Sequence, residues 1–148
     1  MKFNAATDIN GEDLRVRAEK ETSEIFSKES TRKGRSFSEI LATNMYGQVA
    51  EMYLMKHHGF TDDPRKYKDV FDTNLESVEV KVTEFDRYVP FVIERANKAH
   101  KKRKTWSSPH SDILYVFVGN KETLDYYLSG IYFHNGESFC LQSAENVI

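Results

Sequence analysis

A chain of 148 residues with three Pro, seven Gly and one Cys has the length of one compact domain and cannot close an internal disulfide. Its composition, 39% hydrophobic, 30% charged and 13% aromatic, is that of a globular chain and excludes wholesale disorder. Lys and Arg (21) nearly cancel Asp and Glu (23), no apolar run approaches the ~20 residues that span a bilayer, and the first ten residues lack the apolar centre of a secretory signal, so an intracellular, cytoplasmic protein without membrane contact is expected.

Residues 10–35 alternate in charge, with Leu14, Val16, Ala18, Ile25 and Phe26 as sparse apolar positions, which predicts a marginal, largely exposed helix ending near Gly34. From Ser36 or Ser38, each a fitting N-cap, the chain reads FSEILATNMYGQVAEMYLMKHHGF, with Leu41, Met45, Val49 and Met52 at helical spacing and Gly59 as the stop. Asn44, Gln48, Glu51 and Met55 border that stripe, so Glu51 is expected at the sheet margin and not in bulk water. His57 and His58 close the helix, where the negative dipole end favours an imidazolium.

A turn is expected around Thr61–Arg65. Two alternating stretches follow, Lys68–Thr73 and Ser77–Phe85, read as strands joined by Asn74-Leu75-Glu76. On the second, Val78, Val80 and Val82 share one face, and Glu79, Lys81 and Thr83 the other. Pro90 to about Lys104 reads as a basic helix, within which RANKAHKKRK (Arg95–Lys104) holds six Lys or Arg and no acid. Asp112–Val118 is apolar enough to lie inside a sheet, and Gly119-Asn120 ends it. Tyr126–Phe133 and Glu137–Leu141 flank His134-Asn135-Gly136 as a terminal hairpin on an Asn-Gly turn. This order predicts an α/β (α+β) domain with a central mixed sheet flanked by helices.

The chemistry is concentrated in Glu51 of the central helix, Asp69 opening the first strand, and Glu79 with Lys81 on the second. Acidic oxygens that converge repel each other unless a hard divalent cation bridges them, and Mg²⁺ takes a few carboxylates with water and phosphate completing its octahedron. Asp69 and Glu79 suit that role, with Mg²⁺ or Mn²⁺ as the cofactor. Lys81, about 7 Å along the same face, is placed to orient the attacking water and to offset charge building on phosphorus. Asp72 competes with Asp69. The two should face opposite ways, and Asp69 is preferred because it leaves room for a hairpin in which it meets Glu79, while Asp72 faces away or caps the turn.

These pieces resemble the PD-(D/E)xK nuclease superfamily, whose fold is restriction-endonuclease-like. The matching segments are GQVAE (Gly47–Glu51), KDVFD (Lys68–Asp72), SVEVKVTEF (Ser77–Phe85) and SDILYVFVGN (Ser111–Asn120), with Lys68 where the motif's name has Pro. They span about residues 36–120 of a single domain, 1–148, whose residues 121–148 form the terminal hairpin. The resemblance implies that Glu51 assists the metal site, Asp69 and Glu79 ligate the metal, and Lys81 acts on the water. It implies a metal-dependent nuclease that hydrolyses phosphodiester bonds, a DNA endonuclease first. The alternatives are a non-catalytic nucleic-acid-binding module of the same fold, and a structural or partner-binding α/β protein in which Glu-x-Lys is an accident.

Lys98, Lys101, Lys102, Arg103 and Lys104 would track a nucleic-acid backbone. Trp106 either stacks on a base or, the more ordinary fate, packs in the core. His100 and His110 flank the basic run and are candidates for phosphate contact, while one Cys and scattered His give no zinc-ligand spacing. Cutting two strands asks for two active sites and hence a homodimer, for which the aromatic hairpin with Tyr126, Tyr127, Tyr132 and Phe133 is a candidate surface, core packing being its more ordinary fate.

Overall fold

The computed structural model describes residues 1–62 and 70–144. Its elements in chain order are β1 (Lys2–Asn4), α1 (Ala5–Asp8), α2 (Gly11–Phe26), α3 (Glu29–Arg32), α4 (Phe37–His58), β2 (Thr61–Asp62), β3 (Val70–Phe71), β4 (Ser77–Thr83), a 3-10 turn (Asp86–Tyr88), α5 (Val89–Thr105), β5 (Ile113–Gly119), β6 (Asp125–His134) and β7 (Phe139–Ala144).

The longest helix, α4, is fixed at both ends by its own sequence. Ser36 Oγ accepts from Glu39 N while Glu39 Oε1 accepts from Ser36 N, and Gly59 closes the helix at a φ of 72°, in the left-handed region that L side chains resist. α2 begins on Asn10, whose Oδ1 accepts from Glu12 N and Asp13 N. It is less marginal than its composition suggests. Leu14, Ala18 and Thr22, one turn apart, are buried in a narrow seam against α4. α2 ends at Phe26 instead of running to Gly34; the short α3 follows and stops at Lys33 and Gly34, both at positive φ.

One mixed sheet runs in the order β1-β6-β5-β4-β3-β2, and β7 shares the outer edge of β6 with β1. β2, β3 and β4 are antiparallel neighbours. α5 then carries the chain across the sheet, so that β5 lies parallel to β4 with Glu79 opposite Leu114 and Lys81 opposite Val116. The expected class, a mixed sheet flanked by helices, is the architecture observed. Two details of the sheet differ from expectation. Thr61 and Asp62, assigned above to a turn, pair as a strand with Phe71 and Val70; and the N-terminus supplies a strand, β1, that its composition does not announce. Residues 63–69, which include Lys68 and Asp69, lie outside the described residues.

The sheet separates two apolar layers. On one face, Val78 and Val80 of β4 with Ile113 and Phe117 of β5 meet Val49, Ala50 and Leu54 of α4. On the other, Leu114, Val116 and Val118 of β5 meet Val89 and Ala96 of α5. Alternation along β4 therefore sends its valines towards α4, and Glu79 and Lys81, the register partners of Leu114 and Val116, towards α5. β5 ends where only glycine fits: a Cβ on Gly119 would stand 2.3 Å from the Tyr126 ring.

Candidate active site

Glu79 and Lys81 are together on the α5 side of β4. Glu79 is 7% exposed, and its Oε1 receives Lys81 Nζ at 3.3 Å from the same strand and Arg103 Nη1 at 3.5 Å from α5. Both cations fall on one oxygen, and Oε2 has no protein hydrogen-bond partner among the described residues. Lys81 is 46% exposed, so the pair opens to solvent on the lysine side. Arg103, expected only to track a nucleic-acid backbone, also reaches the sheet. It is half-buried, one turn beyond His100 on the inner side of α5.

Glu51 is buried but turned towards α2, where Arg17 Nη2 donates to its Oε1 at 2.7 Å and to Asp62 Oδ1 of β2 at 2.7 Å. Two further polar pairs continue this seam: Asn44 Nδ2 donates to Thr22 Oγ1 at 3.0 Å, and Gln48 Nε2 donates to a carboxylate oxygen of Glu21. Burial alone would lower the Arg17 guanidinium, but the charge of Glu51 and the hydrogen bonds to Asp62 and Glu51 outweigh it and hold the group well above its ordinary value. Arg17 thus links Glu51 of α4 to Asp62 of β2, and α4 itself packs on the face of Val78 and Val80, opposite to that of Glu79 and Lys81. The physical reason is local, since a buried carboxylate takes the nearest cationic donor and Arg17 Nη2 offers it. Sequence reasoning overlooked Arg17. Its only cue was a spacing that lets one α2 residue face the Asn44/Gln48/Glu51 row.

Asp69 lies outside the described residues. Asp72 is engaged by the β3–β4 turn: its Oδ1 accepts from Asn74 N at 2.9 Å and Glu76 N at 3.0 Å, and its own N–H donates to Glu76 O. At the end of α4, His57 Nε2 donates to Asp8 O at 3.1 Å, and both histidine rings lie against Tyr53. Burial, and after it the charge of His57, pushes the His58 imidazole down, which runs against the expected preference of the helix end for a cation.

Along α5, Lys98, Lys101, Lys102 and Lys104 are exposed, and Lys98 Nζ pairs with Glu94 at 3.2 Å. Trp106, expected in the core, is 68% exposed as the cap residue of α5, with Lys102 Nζ 5.7 Å above its ring. The hairpin aromatics mostly pack: Tyr126 is buried, Tyr127 and Tyr132 rest on the α5-side layer, and Phe133 is 45% exposed.

A second polar cluster was not anticipated. His100, buried on the inner side of α5, meets Asp112 Oδ1 through Nε2 at 2.8 Å, faces His110 edge-on at 4.7 Å between centroids, and stacks on His134 at 3.6 Å. Burial, and next the charge of His100, pushes the His134 imidazole down. The crossover from α5 to β5, together with the end of β6, assembles these residues, so no linear spacing signals them. Among the described residues no helix is long and apolar enough to cross a membrane. Comparison of the chain with family models, with curated proteins and with solved structures gives no match.

Proposed function

We propose that this chain is a Mg²⁺- or Mn²⁺-dependent nuclease of the restriction-endonuclease-like kind, acting first on DNA. One observation carries the reading: a buried carboxylate, Glu79, has one oxygen met by Lys81 and Arg103 and the other without a protein partner among the described residues, beside a basic helix. A lone carboxylate oxygen on a half-open face suits a hard cation that keeps several waters and a phosphate oxygen in its shell. Glu79, with Asp69 as the second acid, would hold the ion, which when bound polarises the phosphoryl oxygen as a Lewis acid.

The remaining work falls to the chain's own groups. Lys81 orients the attacking water and offsets negative charge as it gathers on phosphorus. Arg103 fixes the Glu79 carboxylate and carries a second positive charge into the site. Lys101, Lys102 and Lys104 hold the backbone, and exposed Trp106 offers a stacking face for a base. Glu51 has no step in this reading; with Arg17 and Asp62 it braces the α2–α4 seam.

The test is a panel of labelled duplex, single-stranded and branched DNA and RNA incubated with Mg²⁺ or with EDTA. Cleavage is expected only with metal, and Lys81→Ala is expected to lower it about 100- to 1,000-fold while binding stays within about twofold. Undiminished cleavage by Lys81→Ala overturns the proposal. A non-catalytic nucleic-acid-binding module is favoured by a single feature, that Lys81 and Arg103 already neutralise Glu79. Calorimetry with Mn²⁺ separates the two: a saturable site lost in Glu79→Ala supports the nuclease, and no such site supports the module.

A further inference from the structure

We infer that His100, His110 and Asp112 form a Zn²⁺ site that ties the C-terminal end of α5 to the start of β5. One nitrogen of each imidazole and a carboxylate oxygen of Asp112 lie within 4.8 Å of one another. Two imidazoles and a carboxylate are a borderline, nitrogen-rich donor set that suits Zn²⁺ and not Mg²⁺, with water in the fourth position.

The ring environments point the same way. His110 Nδ1 lies 3.1 Å from Ser108 O; a carbonyl only accepts, so Nδ1 carries the proton and Nε2 of the neutral ring keeps its lone pair. A bond from the other ring nitrogen to a carbonyl commonly orients a metal-binding histidine. His100 is 4% exposed, its Nε2 contacts Asp112, and its Nδ1 is buried with no hydrogen-bond partner. That Nδ1 carries the ring proton while Nε2 is left to the metal.

Zn²⁺ takes the place of the proton between His100 Nε2 and Asp112 Oδ1. The 2.8 Å separation then opens to about 3.3 Å, the edge of a tetrahedron with bonds of about 2.0–2.1 Å. Asp112, 68% exposed, makes that movement by turning its side chain. His134 supports the site by stacking. Its Nδ1 accepts from Gly136 N at 3.1 Å, which leaves the ring proton on Nε2 and removes it as a fourth ligand.

The site is independent of the nuclease reading, because it shares no residue with the Glu79–Lys81 pair. Its consequence is mechanical: it pins the connection that begins at Trp106 and sets where the basic end of α5 stands against the sheet.

The test uses tag-free, chelator-stripped protein titrated with ZnSO₄ and, for spectroscopy, with CoCl₂. Stoichiometric Zn²⁺ uptake, a raised Tm and the visible d–d bands of tetrahedral Co²⁺ are expected, and Mg²⁺ at the same concentration should give none of them. His110→Ala and Asp112→Asn, at positions that are not fully buried, should each weaken Zn²⁺ binding about tenfold or more with unchanged far-UV circular dichroism. Glu79→Ala should leave it unaltered. Absence of stoichiometric uptake, or uptake that survives in the His110→Ala/Asp112→Asn double variant, overturns the inference.

Discussion

At the scale of single residues, burial sets the ionisation of Tyr46. Its hydroxyl donates to Gly119 O at 2.9 Å, and burial, with the charge of Glu84 next, pushes the phenol up to about 12. The unfolded phenol titrates near ~10, so the fold binds this proton more tightly, and the stability tied to it is complete below about pH 10 and lost as the pH climbs through about 12. Denaturation curves across that window should show falling stability, with a shallower fall in Tyr46→Phe; an identical fall in the variant would assign the effect elsewhere. Single residues also mark what the sequence could tell about the site. The shared face of Glu79 and Lys81 follows from a period of two, and Asp72 follows from the turn chemistry of aspartate. The arrival of Arg103 on Glu79 and of Arg17 on Glu51 depends on how whole helices lie on the sheet, which no local pattern encodes.

At the scale of elements, the α2–α4 contact is the clearest case of polar groups setting register. Thr22 with Asn44, Glu21 with Gln48 and Arg17 with Glu51 pair in sequence along the seam, around the apolar line of Leu14 and Ala18. Arg17 also reaches Asp62, so one guanidinium joins two helices and the edge strand β2. Arg17→Met removes both charge-assisted bonds from a buried carboxylate and an exposed one. It should cost about 2–3 kcal/mol and lower Tm by about 5–10 °C, measured by thermal and urea unfolding. A loss below about 0.5 kcal/mol would mean that the seam is held by its apolar line alone. Elements that carry their own boundary chemistry were readable: an N-cap at Ser36 or Ser38, which falls at Ser36, the Gly59 stop, and the terminal turn at Asn135-Gly136. The short strands β1 and β2 were not, because each exists only through its neighbour, β6 in one case and β3 in the other.

For the whole molecule, a net charge of −2 supplies no general attraction for a polyanion. The distribution does. α5 gathers Arg95, Lys98, Lys101, Lys102, Arg103 and Lys104 against the single acid Glu94, which leaves the rest of the chain acidic and, in the proposed reading, directs a phosphate backbone to the α5 side. Glu79 and Lys81 open on that same side of the sheet. Binding should therefore depend on the lysines of the last turns of α5 and on very little else of the surface. Each phosphate contact contributes about 0.9 to the slope of log K against log salt on duplex DNA, and about 0.7 on a single strand. Replacing Lys101, Lys102 and Lys104 together by Ala should flatten the slope by about 2.7 on duplex or about 2.1 on single strands, with helix content unchanged by circular dichroism. A slope that does not move would place the contact surface away from α5.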